Sequence, residues 1–464
     1  MLLTLALRSL AARPVRSAVL AIGFGLGVGV MAVLLGVGDV ILDQARAPAL
    51  SGGGDVRIGS ASGRIANGRF VLYELRPGGP FGSDVRTLAP SLHETMFLRH
   101  DGRSVPVAAR ASVPSADRAL GDAETAARSE WNDTPADREW LQADPSSVLR
   151  DIDRFHPIPD VAARAPSWAE WLYFNGIAPG GRFYLTFLSG PAAAGGRRPL
   201  VVRLQLERNG LMSAFSDRSD IDPASLLEEA PDLTVGASAV RLVGTDYRIH
   251  LDLPSETDRS RATGDIVVHA NPDRSVPPFV LEGAGGWISG YTVPVTSGPL
   301  EGRLHVGGST IDLGGGTAYH DHNWGFWEGV SWQWGQVQHE GLSFVYGRVR
   351  PPADAADPAH VPGFMAVLGP AGPLAFSTDA AIEETNASGS DRPSRITVTA
   401  AGQSLRANLS LTVDQTTITP MRRGSVGDAL QFLQMRARYD VDVQVGERTY
   451  KFSASGSAET FRQR

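Results

Sequence analysis

The sequence predicts a mainly β protein in which antiparallel meanders close, or nearly close, into barrels. Three observations carry this. First, 52 glycines and 31 prolines punctuate the chain too often for many long helices. Second, SWAEWLYFNGIAPGGRFYLTFLSGP, RPLVVRLQLERNG, VGASAVRLVGTDYRIHLDLP and ATGDIVVHANP alternate apolar and polar residues between turn formers, at spacings that suit hairpins. Third, so many one-sided strands bury their apolar faces most simply by closing on themselves. The same grammar resumes in LSFVYGRVR, GFMAVLG, SRITVTA, ANLSLTV, MRARYDVDVQV and YKFSASGSAE, which predicts a second barrel or sandwich of similar size.

The 464 residues allow about three domains and a sizeable core. A net charge of −7 with no basic stripe excludes nucleic acid as the expected partner. Cysteine is absent, which removes disulfides, thiolate metal sites and a cysteine nucleophile and leaves the redox compartment open. No serine-centred elbow, phosphate-cradling loop or dinucleotide fingerprint is present.

In chain order, residues 1–17 are read as a cytoplasmic N-terminus and 18–42 as a transmembrane helix. Ala18 to Gly38 is uncharged and, as a helix, spans about 31 Å. Arg8, Arg13 and Arg16 precede it and Asp39 and Asp43 follow, which places the body outside the cytoplasm as a single-pass cell-membrane protein. A cleaved signal peptide is the alternative, with Ala45-Arg46-Ala47 as a cleavage tripeptide. Residues 51–120 read as a small α+β extracytoplasmic segment with strand-like runs at Phe70 to Leu75 and Ser104 to Ala109. Residues 121–164, rich in Ala, Asp, Glu and Arg, read as short helices and loops ending at the proline-rich FHPIPD. The two β domains then take 165–312 and 313–464.

Tyr319 to Tyr346, YHDHNWGFWEGVSWQWGQVQHEGLSFVY, concentrates the chemistry. On a strand, His320, His322 and Trp324 share one face while Tyr319, Asp321 and Asn323 share the other. The histidines at i and i+2 could face one metal with His339 and Glu340, but local spacing fixes no set of three ligands, so no metal or other cofactor is expected. Asp321 could act as an acid or base, orient an imidazole, or bond the backbone that follows it. Trp324, Trp327, Trp332 and Trp334 either line a pocket or fill a core. Phe344, Tyr346 and Arg348 share a strand face. In an apolar pocket Arg348 needs a carboxylate, from Glu340, Asp321 or an amphiphilic ligand.

Three stretches resemble the carotenoid 1,2-hydratase (hydroxyneurosporene synthase) and AttH-like family: Glu170-Trp171-Leu172-Tyr173-Phe174-Asn175-Gly176, then Tyr319-His320-Asp321-His322-Asn323-Trp324-Gly325, then Gly456-Ser457-Ala458-Glu459. The resemblance covers roughly residues 150–464. It implies two tandem lipocalin-like barrels and a lipophilic pocket, with Trp171, Tyr173, Trp332, Trp334, Phe344 and Arg348 as its lining here. It also implies functional roles for His322, Trp324 and Tyr346. Arg348 stands where the family carries an aspartate, and a guanidinium is a very poor proton donor, so the family's mechanism would need Asp321 or another acid in its place. The N-terminal segment resembles the first segment of lipoprotein-export and macrolide-export type ABC transporter permeases. Three functions follow as expectations: a membrane-anchored extracytoplasmic protein that binds a hydrophobic small molecule or lipid beside an ABC permease and ATPase; a hydratase, cyclase or isomerase (a hydro-lyase in the first case) acting on a polyene-like chain; or a ligand-free transporter adaptor.

Overall fold

A computed structural model describes residues 56–59, 65, 67–81, 84–100, 103–142, 144–193, 195–361, 363–421 and 430–463. The expected transmembrane run Ala18–Gly38 lies outside them. Among the described residues no helix is long and apolar enough to cross a membrane. The helices are α1 (Gly68–Leu75), α2 (Pro114–Leu120), α3 (Ala123–Ala126), α4 (Pro135–Leu141), α5 (Pro145–Ile152) and α6 (Pro223–Glu229).

The chain divides into two units, one containing Thr87–Leu141 and the other Ala66–Arg86 with Gln142–Arg464. The first holds a hairpin of β1 (Ser91–His100) and β2 (Arg103–Ser112), followed by α2, α3 and α4. Arg110 bonds the buried carboxylates of Asp117 and Asp122, the latter at 2.8 Å, and Asp122 also accepts from the backbone of Thr125.

The second unit is mainly β. Its first sheet has twelve strands, beginning with β3 (Trp168–Ala178), β4 (Gly181–Ser189), β5 (Arg198–Arg208) and β6 (Leu211–Ile221). It continues through β7 (Leu233–Val235), β8 (Ser238–Val243), β9 (Asp246–Pro254), β10 (Arg261–His269), β11 (Val276–Glu282), β12 (Ile288–Val306), β13 (Ser309–Asp312) and β14 (Gly316–Phe326). The main path runs β6-β5-β4-β3-β14-β12-β10-β9-β8-β7, with β11 and β13 paired to β12. A bridge between Phe215 and Ser255, with Glu256 N–H donating to Ala214 O, brings the β6 edge round to the end of β9, so the sheet is nearly closed. The second body is a closed barrel of β15 (Ser331–His339), β16 (Leu342–Arg350), β17 (Gly363–Gly369), β18 (Gly372–Asn386), β19 (Pro393–Ala401), β20 (Leu405–Met421), β21 (Leu430–Val445) and β22 (Arg448–Gln463).

Two expectations need correction. The Tyr319–Gly325 strand does not open the second body. It is β14, hydrogen-bonded between β3 and β12 in the first, and the chain crosses over at 327–330 rather than at 312/313. The hairpin grammar is continuous across that point, so composition gives no sign of where pairing partners change. Phe70–Leu75 is helical rather than a strand, because Phe70 and Tyr73, three apart, bury on one helical face.

What fills the first barrel is the chain itself. Asp144 caps α5 by accepting from the backbone of Ser146 and Ser147, with Pro145 at the first helical position. Val148, Leu149 and Ile152 of α5, with Phe155 and with Phe70 and Tyr73 of α1, then bury among Leu172, Phe174, Phe183, Leu185 and Tyr247. The second barrel is filled by its own strands, with Val337, Phe344, Tyr346, Met365, Leu409, Leu433, Met435 and Tyr439 buried together. Some large rings fit by lying across glycines. A Cβ on Gly290 would sit 2.2 Å from the Trp324 indole, and one on Gly335 would sit 2.3 Å from the Tyr346 hydroxyl.

Candidate functional site

Alternation along β14 places chemistry on both its faces. His320, His322 and Trp324 turn into the first barrel, where Asp153 arrives from the end of α5. His320 Nε2 lies 3.0 Å from Asp153 Oδ2, and its Nδ1 is 2.9 Å from the Tyr173 carbonyl. His322 Nδ1 lies 3.0 Å from Asp153 Oδ1, and its Nε2 is 3.1 Å from Glu170 Oε1. Tyr247 donates to Asp153 Oδ2 at 2.8 Å. Glu170 also accepts from the His156 backbone N–H, and its Oε1 is 2.8 Å from His156 Nδ1. Asp153, Glu170, His320 and His322 are fully buried, while His156 reaches solvent with 29% of its side chain exposed.

The electrostatics follow from that geometry. Both ring nitrogens of His322 face carboxylates, which accept only, so the ring carries two protons. Burial alone would lower the His322 pKa, but hydrogen bonds to Asp153 and Glu170, and their charges, outweigh it and lift it to about 9. Burial would likewise raise Asp153; the charge of His320 and the bonds to both imidazoles win and hold it at about 2. Glu170 is lowered against its burial by His156 and His322. The buried Arg198 lies near enough to Glu170 for the charges to couple. His320 stacks on Phe174 (4.0 Å between centroids) and His156 on Trp324 (4.1 Å), which fixes both rings.

The other face of β14 looks onto the second barrel. Tyr319 OH accepts from Trp334 Nε1 at 2.8 Å and bonds Asp321, whose Oδ1 accepts from Asn323 at 2.6 Å. Burial, and next the charge of Glu459, push the Asp321 carboxyl well above the usual range. Burial raises Glu459, which bonds Tyr173, to about 7. Around these acids Tyr173, Tyr184, Tyr291, Tyr319, Trp334 and Phe364 form the seam between the two barrels.

At one end this seam opens into a small half-open cleft of about 90 Å³, lined by Phe279, Leu281, Tyr291, Arg348, Val349 and Phe364, among others. Phe279, Tyr291, Phe364 and Phe376 form a row of adjacent rings with centroids 5.1 to 6.0 Å apart. Phe279 and Phe376 are exposed. The Arg348 guanidinium donates to the carbonyls of Pro358 (3.4 Å) and Ala359 (3.2 Å) and pairs with no carboxylate among the described residues. Its Nε is buried without a partner, and its pKa is lowered, first by burial and then by Arg350.

The predicted site residues therefore fall into four places. His322 and Trp324 do not face a cavity shared by the barrels; they pack inside the first on Asp153, Phe155 and His156. Tyr346 and Phe344 are core residues of the second barrel, where Tyr346 lies beside Tyr439. Asp321, Tyr173, Trp171, Trp332 and Trp334 belong to the seam, where Trp332 stacks on Phe461 and packs against Trp171 and Trp327. Only Arg348 lines the cleft. The carboxylates foreseen for it lie elsewhere: Asp321 within the seam and Glu340 beside His339, whose ring stacks on Phe452. Asp153, His156 and Glu170 were not foreseen. Glu170 left a signal, an acid on the same strand face as Leu172 and Phe174.

No protein-family model matches the chain, and no curated protein sequence matches it. Among solved structures, it is similar to a candidate AttH from Nitrosomonas europaea at 17% identity, over 63% of this chain and 92% of that one, with a TM-score of 0.42. Kievitone hydratase from Nectria haematococca matches at 14% identity over 66% and 94%, with a TM-score of 0.41. CghA matches at 13% over 64% and 88%, with a TM-score of 0.40.

Proposed function

We propose that the protein binds a hydrophobic or amphiphilic small molecule in the seam cleft, its apolar part on the Phe279–Tyr291–Phe364–Phe376 row and an acidic group on Arg348. The observation that carries this reading is a cation without a carboxylate beside a half-open aromatic row. The part-buried Arg348 guanidinium has loop carbonyls as its partners, and a ligand carboxylate would give it a stronger, charge-assisted one. Among the described residues both barrel interiors hold clusters of buried side chains, which favours the cleft as the site for a lipid-like molecule. The apolar run Ala18–Gly38 and its resemblance to exporter permeases support a setting at the membrane beside an ABC exporter. Solvent extraction and mass spectrometry of the purified full chain test the proposal. An acidic amphiphile retained by wild type and lost in Arg348→Ala is the expected result; an equal yield from both proteins contradicts it.

A second reading, acid catalysis on a polyene-like ligand, is favoured by the buried Asp321 and Glu459 carboxyls, which hold protons toward neutral pH. Asp321→Asn that binds ligand but loses turnover supports it. Unchanged product formation removes it.

A further inference from the structure

We propose that His156, Glu170 and His322 form a site for a divalent metal ion of the zinc class where the buried cluster of the first barrel reaches solvent. One ligand atom from each lies within 4.8 Å of the other two. Glu170 Oε1 is 2.8 Å from His156 Nδ1 and 3.1 Å from His322 Nε2. Bonds of about 2.0–2.1 Å in tetrahedral geometry place neighbouring ligand atoms roughly 3.3 Å apart, so the two pairs that share Glu170 Oε1 have to open by only a few tenths of an ångström. His156, on the connection between α5 and β3, is the part-exposed member of the set. Two imidazoles and one carboxylate suit zinc and similar borderline ions rather than calcium or magnesium, which take oxygen donors.

The surroundings are those of a ligand set rather than of three side chains meeting by chance. His322 turns its other nitrogen to Asp153 Oδ1, and Asp153 is itself held by His320 and Tyr247. A carboxylate behind a histidine in this way fixes its ring and raises its strength as a ligand. The His156 backbone N–H lies 2.9 Å from Glu170 Oε1 and 3.1 Å from Oε2, which holds the carboxylate in place beside both imidazoles. Trp324 stacks on the His156 ring. Binding requires His322 Nε2 to give up its proton to solvent and His156 to present the lone pair of Nδ1. The part-exposed His156 marks the side on which a water completes the coordination. This site is separate from the seam cleft, and neither proposal depends on the other.

The test loads the chelator-stripped full chain with Zn²⁺ or Co²⁺, removes excess ion, and reads metal content and the visible Co²⁺ spectrum. One ion per chain and a four- or five-coordinate cobalt spectrum are expected, with a raised unfolding midpoint that chelator reverses. His156→Gln keeps a donor to Glu170; it is expected to match wild type in chelator and to lose the ion and the cobalt bands. If that variant does not fold, paramagnetically shifted imidazole N–H signals of the wild-type cobalt protein decide, with two expected. No retained metal, equal retention by folded His156→Gln, or fewer than two shifted imidazole signals overturns the proposal.

Discussion

The two barrels share one strand grammar and hold unlike interiors. The first closes around a helix of its own chain and a buried set of two histidines and two carboxylates. The second is packed with aliphatic side chains and two neighbouring tyrosines. The difference teaches that a barrel of this kind does not need to be hollow. In the first, Asp153 at the end of α5 ties the filling helix to the wall, so the helix and its counter-charges act as one unit. The seam cleft proposed as the ligand site lies outside both interiors.

Breaking the first interior should have the largest effect. Asp153→Ala leaves His320 and His322 without their shared carboxylate and is expected to cost about 3–5 kcal/mol, the range for breaking a buried pair. In the second barrel Leu409→Ala should cost about 2–5 kcal/mol by leaving a cavity. The comparison turns on pH, read by chemical denaturation. The metal-free first-barrel cluster has a depressed Asp153 and a raised His322. Its contribution should therefore be greatest between about pH 4 and 6.5, fall in acid toward the Asp153 value of about 2, and fall in base toward the His322 value of about 9. The cost of Asp153→Ala should shrink at both extremes, whereas that of Leu409→Ala should not vary with pH.

Glu74 of α1 offers a smaller, signed effect. It is buried, both its oxygens lack partners among the described residues, and burial, then the charge of Asp273, raises its pKa to about 8. Its unfolded carboxyl ionises lower, so stability is lost as pH rises from near 4.5 to about 8. Glu74→Gln should be neutral at pH 4 and stabilise by about 1–3 kcal/mol at pH 9, measured by urea midpoints. Arg348→Ala should change stability least, within about 0.5 kcal/mol, because its guanidinium bonds only two loop carbonyls.

The sequence made the mainly β class and the two faces of β14 legible, because alternation and turn residues are local signals. His320, His322 and Trp324 do turn one way, and Tyr319 and Asp321 the other. What those faces meet was not legible. Asp153 lies 167 residues before His320, in a stretch whose composition reads as linker, and Glu170 lies 152 residues before His322. Nothing local fixes such pairings. The family resemblance marked Tyr346 as a site residue; its ring lies over Gly335 across the strand pair, a packing fact visible only in register.

The central claim is that an acidic amphiphile sits in the seam cleft against Arg348. Its most direct test is a titration of the full chain with a fluorescent long-chain carboxylic acid and with the methyl ester of the same molecule. The account predicts saturable binding of the acid to wild type, at least tenfold weaker binding of the ester, and an Arg348→Ala variant that binds both alike and weakly. Equal affinity of wild type and Arg348→Ala for the acid would contradict it.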